Sequence, residues 1–441
     1  MLAGVSVLRV DAVITSLAPG GDGVAHVEVG GERRAVFVPH TVGGEVVRAE
    51  VDVSKRPARG RMLEVLVPSA ERVEPACPWS RRCGGCDWMH LALGAQEAAH
   101  AEHLRAALPE AWRGLPIETH PAPEALAHRT RARLHLRGSR GKLVVGMHEA
   151  RSHEPVEVDV CAVLDPTLEH ARRALRALFE GARGRGEARI ALGVDRLPVL
   201  DVRWQGEVPA ACFGRLDRAV QERTFAGVRL TVGDAVRPAT IGDPTPWMAG
   251  PDGKPLRLAP AGFAQASERM NATLVRHVQR VAGQVGAEKA VELYAGAGNV
   301  SVLLALAVGE LVTVESDREA CEAARANLVA RSLQARARVV EADASVHEWS
   351  PTTGLVVLDP PRSGALSVAD RLAGSRVPHV VYISCDTQTL GRDLARLAKA
   401  YDARSVATFE MFPQTSHVET VVWLERRRRH PSGSAGSPVG T

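Results

Sequence analysis

Two segments of the chain carry side chains able to make and break covalent bonds. Cys385 stands in Ser384-Cys385-Asp386, where a strand is expected to end and a helix to begin near Thr387. A thiol at a helix N-terminus is expected to have a lowered pKa and to favour thiolate. Glu419 stands in the run 412–420, at the start of another expected strand, and a carboxylate there can act as a base. A third segment, Asp359-Pro360-Pro361-Arg362-Ser363-Gly364, closes a further strand. Taken singly these are a buried Cys, a turn and a strand-end acid. Together they supply a nucleophile and a base at neighbouring strand ends.

A ligand pocket is expected beside them. Glu292-Leu293-Tyr294-Ala295-Gly296-Ala297-Gly298-Asn299 has glycines at a strand-to-helix turn, where backbone can approach a ligand closely. Ser301 stands where a dinucleotide fingerprint has its third Gly, and no Lys-Ser/Thr follows, which excludes an ATP loop. Glu315 closes the next strand, about twenty residues on, where an acid accepts from ribose hydroxyls. Asp343, after the third strand, is placed to meet an adenine. A nucleoside without pyrophosphate fits this turn, and S-adenosylmethionine is one. Methylating an amine or hydroxyl needs no covalent step. Methylating carbon 5 of a pyrimidine does, because thiolate addition at carbon 6 is what makes carbon 5 nucleophilic. Cys385 as nucleophile and Glu419 as base fit that chemistry.

The chain has seven Cys. Cys77, Cys83 and Cys86 are closely spaced, with Gly84 and Gly85 allowing a tight turn that aims amides at sulfur, and Cys161 is the nearest fourth ligand. Four thiolates suit zinc or an iron–sulfur cluster, and spacing leaves both open. Cys212 and Cys321 read as core thiols.

These groups must be positioned by a chain of 441 residues, enough for about three domains. Hydrophobic residues make up 45% and charged residues 24%, which excludes disordered, collagen-like and coiled-coil classes. No apolar run approaches the roughly 20 residues of a membrane span. Residues 1–10 lack the pattern of a secretory signal, so a cytoplasmic protein with no membrane partner is expected. Residues 1–68 read as a small five-stranded β-barrel of OB-like type, with a basic loop from Ser54 to Arg61 holding Lys55, Arg56, Arg59 and Arg61. Residues 69–250 form a central α+β unit. Ala125–His148 has no acid but holds Arg129, Arg131, Arg133, Arg137, Arg140 and Lys142. On a strand, Arg129, Arg131, Arg133, His135 and Arg137 share one face, whose mutual repulsion a phosphate backbone would relieve. Residues 251–428 alternate strand and helix, beginning with a helical stretch Phe263–Gly283, as a doubly wound α/β sheet does. Residues 429–441 are expected to be a disordered tail. Only five of the 55 basic residues are Lys, a bias that reflects base composition.

The segments Glu292–Asn299, Asp359–Gly364, Ile383–Asp386 with Leu390–Leu394, and Phe412–Glu419 resemble the successive motifs of the RNA uracil-5-methyltransferase family, as does Phe263-Ala264-Gln265 ahead of the sheet. The resemblance runs from residue 1 to about 425. It implies a multidomain protein ending in a Rossmann-like class I methyltransferase domain, with an N-terminal barrel similar to the TRAM RNA-binding domain of the ribosomal members. It implies Cys385 as nucleophile, Glu419 as general base, and an S-adenosylmethionine site lined by Gln265, Tyr294, Gly296, Gly298, Asn299, Glu315, Asp343 and Asp359. Cys77, Cys83, Cys86 and Cys161 are similar to the family's ligands to a closed 4Fe–4S cluster. The chain departs from the pattern at Ala295, Ser267 and Gln414, where Cys, Asn and His are common. Barrel plus cluster favours 23S ribosomal RNA as substrate over the T-loop of transfer RNA, with the protein acting as a monomer. The competing readings are an N- or O-methyltransferase and an inactive RNA-binding adaptor.

Overall fold

The computed structural model describes residues 7–139, 141–260 and 262–428. The expected tail lies outside the described residues. The first six strands are β1 (Val7–Val13), β2 (Ser16–Leu17), β3 (Gly23–Val29), β4 (Glu32–Val38), β5 (Val46–Asp52) and β6 (Ala58–Val67), in sheet order β1-β5-β6-β4-β3-β2. Small apolar residues alternate with polar ones, as a half-buried strand requires, and Val47, Ala49 and Val51 of β5 are fully buried. The sheet has one strand more than the five expected, the two-residue β2. The basic loop is also corrected. Arg59 and Arg61 belong to β6, and Arg59 pairs with Asp22 at 2.7 Å, Arg61 with Glu50, and Lys55 with Asp52 at 3.4 Å. Tertiary pairing supplies acids to residues that have none within their own segment.

The next elements are α1 (Leu93–Ala107), β7 (Ile117–His120), β8 (Arg131–Ser139), β9 (Lys142–Gly146), α2 (Pro166–Leu178), β10 (Arg183–Leu192), β11 (Pro198–Glu207), α3 (Ala210–Gln221), β12 (Gly227–Val232) and β13 (Ala239–Gly242). A second six-stranded sheet runs β13-β12-β11-β10-β8-β9. Helices α2 and α3 cover it through Leu168, Leu175 and Leu216, packed on Leu134, Ile190 and Trp204. Strand β8 alternates as expected, with Leu134 and Leu136 inside and Arg133, His135 and Arg137 on the other face. That face is not a field of unpaired charge. Arg133 lies 3.7 Å from Glu187, Arg137 pairs with Glu154, and Lys142 with Glu157 at 2.8 Å. Arg131 turns inward, and burial pushes its pKa down to about 10. Arg140 lies outside the described residues.

The third part contains β14 (Trp247–Ala249), β15 (Pro255–Arg257), α4 (Glu268–Val285), β16 (Lys289–Leu293), α5 (Ser301–Ala307), β17 (Glu310–Glu315), α6 (Arg318–Val329), β18 (Ala337–Glu341), β19 (Leu355–Leu358), α7 (Leu366–Gly374), β20 (His379–Ser384), α8 (Thr387–Leu397), β21 (Tyr401–Phe409) and β22 (Glu419–Arg426). Helix α4 starts later than the expected Phe263, because the Ser267 hydroxyl caps it by accepting from the Met270 amide at 3.3 Å. The sheet order is β18-β17-β16-β19-β20-β22-β21-β7. β16 to β20 are parallel, and β22 runs antiparallel to both β20 and β21. Helices α4 and α5 cover one face through Leu274, Val278 and Leu304. The other is covered by α1, α7 and α8 through Leu104, Leu372 and Leu394. The strand order reverses between β16 and β19, which opens a crevice at their carboxyl ends.

Segment 93–120 does not lie with the middle sheet. β7 adds to the far edge of the C-terminal sheet beside β21, and α1 packs on α8. A Cβ at Gly391 would come within 2.7 Å of the Ala107 carbonyl, so that helix contact needs glycine. Among the described residues, no helix is long and apolar enough to cross a membrane.

Candidate active site

Strands β20 and β22 bring Cys385 and Glu419 together. Ser384 pairs with Thr420, so the next step of the antiparallel ladder sets Cys385 opposite Glu419. The Thr420 hydroxyl donates to the Ser384 carbonyl at 3.0 Å and holds this register. Glu419 is buried, and its carboxyl is pushed up to about 8, by burial first and by Asp359 next. Burial likewise pushes Asp359, at the end of β19, up to about 7. Gln265 lies beside the Glu419 carboxyl and opposes its rise, while Gln265 Oε1 and Glu419 Oε2 are both buried without a partner.

The expected lowering of the Cys385 pKa does not occur in this state. Burial, then the carboxylates of Glu419 and Asp359, push the thiol up to about 12, against the opposing pull of nearby Arg362 and of a backbone amide at Cys385. The helix terminus is already in use, because Asp386 caps α8 by accepting from the Thr389 amide at 2.8 Å. A cation entering among these acids would lower their pKa values and the thiol's together.

The glycine turn follows β16. Tyr294 at φ 63°, Gly296 at 54° and Gly298 at 81° turn the chain sharply. A Cβ at Gly296 would meet no atom within 4 Å, so an open cradle lies above that backbone. Glu315 reaches the turn from β17. One carboxylate oxygen accepts from the Gly296 amide at 2.9 Å, the other from the Ser316 and Asp317 amides at 2.8 Å. Asp343 is exposed beyond β18 and accepts from the Ser345 amide at 2.8 Å. Asn299 is part of a reciprocal amide pair with Asn271 of α4, at 2.7 and 2.9 Å. Sequence reasoning missed Asn271, because nothing in its own helix marks it. It also passed over Glu292, a buried acid whose Oε2 accepts from Ser301 Oγ at 2.5 Å. Burial pushes Glu292 up to about 8. Three raised carboxyls and an orphaned amide oxygen around a glycine cradle suit a positively charged nucleoside ligand.

The loop after β19 is held from α8. Thr389 Oγ1 donates to the Arg362 carbonyl at 3.1 Å and Arg392 to the Ser363 carbonyl at 2.9 Å. The fully buried Asp393 accepts from the Ala365 amide and the Tyr382 hydroxyl, each at 2.7 Å. Arg362 reaches His417 at 3.3 Å, so the loops after β19 and β21 meet beside Cys385 and Glu419.

Cys77, Cys83, Cys86 and Cys161 line one cavity with Arg129 and Met147, and none forms a disulfide. Backbone amides point at two of the sulfurs, Gly85 at Cys83, Val163 and Leu164 at Cys161. Burial pushes Cys83 and Cys161 up and Cys86 to about 12, as for thiols in an apolar pocket without a metal. An all-sulfur donor set with amide hydrogen bonds and apolar walls fits an iron–sulfur cluster or zinc. Arg129 donates to the Gly85 carbonyl at 3.2 Å, so it serves this cavity rather than the outer strand face. Cys212 and Cys321 are buried, as expected, and Cys321 donates to the Glu315 carbonyl at 3.3 Å. A second group, Glu118, His120 and His277, has ligand atoms within 4.8 Å of one another, which their sequence separation concealed. Arg280 already places a guanidinium there, 2.9 Å from His277 Nδ1 and 3.3 Å from Glu118, where a metal ion would sit.

A family model described as tRNA (Uracil-5-)-methyltransferase matches residues 342–427. The 23S rRNA (uracil(1939)-C(5))-methyltransferase RlmD of Chromohalobacter salexigens is 33% identical, over 94% of this chain and 88% of that protein. The protein of the same description from Halomonas elongata is also 33% identical, over 97% and 90%. The fold is similar to that of the Pyrococcus abyssi tRNA (uracil-54, C5)-methyltransferase solved with S-adenosyl-L-homocysteine. The TM-score is 0.74 at 22% identity, over 94% of this chain and all of that one.

Proposed function

This chain belongs to the RNA uracil-5-methyltransferase family, and we propose that it methylates carbon 5 of a uridine in 23S ribosomal RNA through a covalent bond to Cys385. It is an S-adenosylmethionine-dependent RNA methyltransferase. The observation that carries the covalent route is the pairing of Ser384 with Thr420, which sets thiol and carboxyl side by side. The ribosomal substrate is favoured by full-length similarity to proteins described as acting on 23S rRNA.

Cys385 Sγ loses its proton and bonds carbon 6 of the uracil, and the carbon 5–carbon 6 electrons move to an enolate. Bound S-adenosylmethionine supplies the methyl group that carbon 5 takes, leaving S-adenosylhomocysteine. Glu419 then removes the carbon 5 proton, the double bond re-forms, and the carbon 6–sulfur bond breaks. Cys385 regains its proton, so the net product is one proton released through Glu419. Gln265, Tyr294, Gly296, Gly298, Asn299, Glu315, Asp343 and Asp359 would line the donor site. The target base reaches this pocket by flipping out of its stack.

Cys77, Cys83, Cys86 and Cys161 would hold a 4Fe–4S cluster that ties residues 77–86 to 161. The N-terminal sheet serves as a TRAM-like RNA-binding barrel, and the protein works in the cytoplasm as a monomer. A cleft of about 580 Å³ lined by Gly21, His40, Cys83, His135, His148 and His417 supports an RNA path from barrel to active site. The test is to map 5-methyluridine in 23S rRNA and tRNA from a strain lacking the gene. Loss from 23S rRNA alone supports the reading, and loss from tRNA alone overturns its substrate.

A further inference from the structure

The loop that delivers Glu419 contains a strained residue. Gln414 has φ 73°, in the left-handed region that costs a non-glycine residue on the order of 1–3 kcal/mol unless its surroundings enforce it. Its enforcers come from residues 87–100, more than three hundred positions earlier. The Gln96 Oε1 accepts from the Gln414 amide at 2.8 Å, and Gln96 Nε2 donates to Gln414 Oε1 at 3.3 Å. The Trp88 amide donates to the Gln414 carbonyl at 3.0 Å. Asp87 Oδ1 accepts from the Ser416 amide at 2.9 Å. His100 spans the base of the loop, with Nδ1 2.9 Å from Glu410 and Nε2 3.2 Å from the Thr415 carbonyl.

Two further contacts show that this clamp joins three parts of the molecule. The Trp88 indole donates to the Gly21 carbonyl of the N-terminal sheet at 3.0 Å. Gly21 has φ 87°, and a Cβ there would fall 2.1 Å from Asp87 Oδ2, so only glycine lets the carboxylate sit in place. Asp87 is also the residue directly after Cys86 of the cysteine-lined cavity.

We infer that Asp87 is a positioning residue for the base, holding the 414–417 loop against the cysteine segment so that Glu419 meets the carbon 5 proton. The inference rests on the covalent reading above. Loss of this contact frees the Ser416 amide and displaces His417 and Glu419 together, while Gln96 and the Trp88 amide still hold Gln414. Addition of Cys385 and methyl transfer precede proton removal, so they proceed, and the methylated adduct waits. A structural defect without positioning would instead reduce binding or folded protein and leave no adduct.

The test uses full-length protein, S-adenosylmethionine and an unmodified 23S rRNA transcript. Asp87→Ala is expected to lower kcat about 10- to 100-fold, with kcat/KM for S-adenosylmethionine unchanged and a denaturant-stable RNA adduct accumulating. Hydrogen exchange at the Ser416 and His417 amides should quicken, with or without metal in the cysteine site. Asp87→Asn retains an acceptor for the Ser416 amide and should restore wild-type turnover and protection. Loss of turnover in Asp87→Ala without an adduct, or equal loss in Asp87→Asn, overturns the inference. Glu419→Gln serves as the control: if it traps no adduct, the covalent reading itself fails.

Discussion

Cys385 and Glu419 stand opposite one another at the point where the β20–β22 ladder ends, one step beyond the Ser384–Thr420 pair. The antiparallel return of β22 alone makes them neighbours, since 34 positions separate them along the chain. Cys385→Ala should abolish methylation and adduct formation. Glu419→Gln should slow carbon 5 proton release about 10²- to 10⁴-fold and leave RNA bound to Cys385, measured by tritium release and denaturing gels.

The rate should depend on pH with a definite sign. Glu419, pushed up to about 8, must be ionised to accept a proton. Tritium release from the methylated adduct, in which the thiol is already bonded to carbon 6, should rise up to about tenfold per pH unit below 8 and level off above it.

Glu292 should make the fold sensitive to alkali. Its carboxyl rises from 4.5 in the open chain to about 8 in the fold, so the native state holds the proton more tightly. Its stabilising contribution is full below pH 4.5 and is lost as pH rises through 8. Glu292→Gln keeps an acceptor for Ser301 and cannot ionise. Its stability should fall less steeply over that window, by at most about 1.4 kcal/mol per pH unit, read from denaturant melts at several pH values.

The reciprocal amides of Asn271 and Asn299 tie α4 to the glycine turn. Asn271→Ala leaves the Asn299 amide without its partner, at a cost of about 1–3 kcal/mol. The expected outcome is weaker S-adenosylmethionine binding in calorimetry, with the Cys385 adduct chemistry intact at saturating donor.

Cys86→Ser should remove iron and sulfide from anaerobically purified protein and lower its melting temperature. Zinc recovered in place of iron from the unaltered protein would overturn the cluster assignment.

The strand–helix alternation, the glycine turn, a Cys at a strand-to-helix boundary and the group of cysteines were all legible in the sequence. Each rests on local pattern: a hydrophobic period, a turn that only glycine makes easily, a residue type at an element's end. Partner acids were not legible. The stretch Ala125–His148 lacks acid along the chain, yet Glu154, Glu157 and Glu187 approach it in space. The same blindness hid the placement of α1 and β7, which lie beside α8 and β21 although they precede the middle sheet in the chain.

The sequence by itself determined the chemistry available, because a thiol, a carboxyl and a glycine turn are properties of residue types and short spacings. Tertiary structure decided the state of those groups. The Cys385 thiol lies high, not low, since burial first and then the buried carboxyls of Glu419 and Asp359 from other strands raise it, while Asp386 already caps the adjacent helix. It also decided that Gln96 and Asp87 hold the loop ahead of Glu419, a contact between residues more than three hundred positions apart. Burial and through-space charge act over ångströms rather than along the chain, so no reading of local pattern contains them.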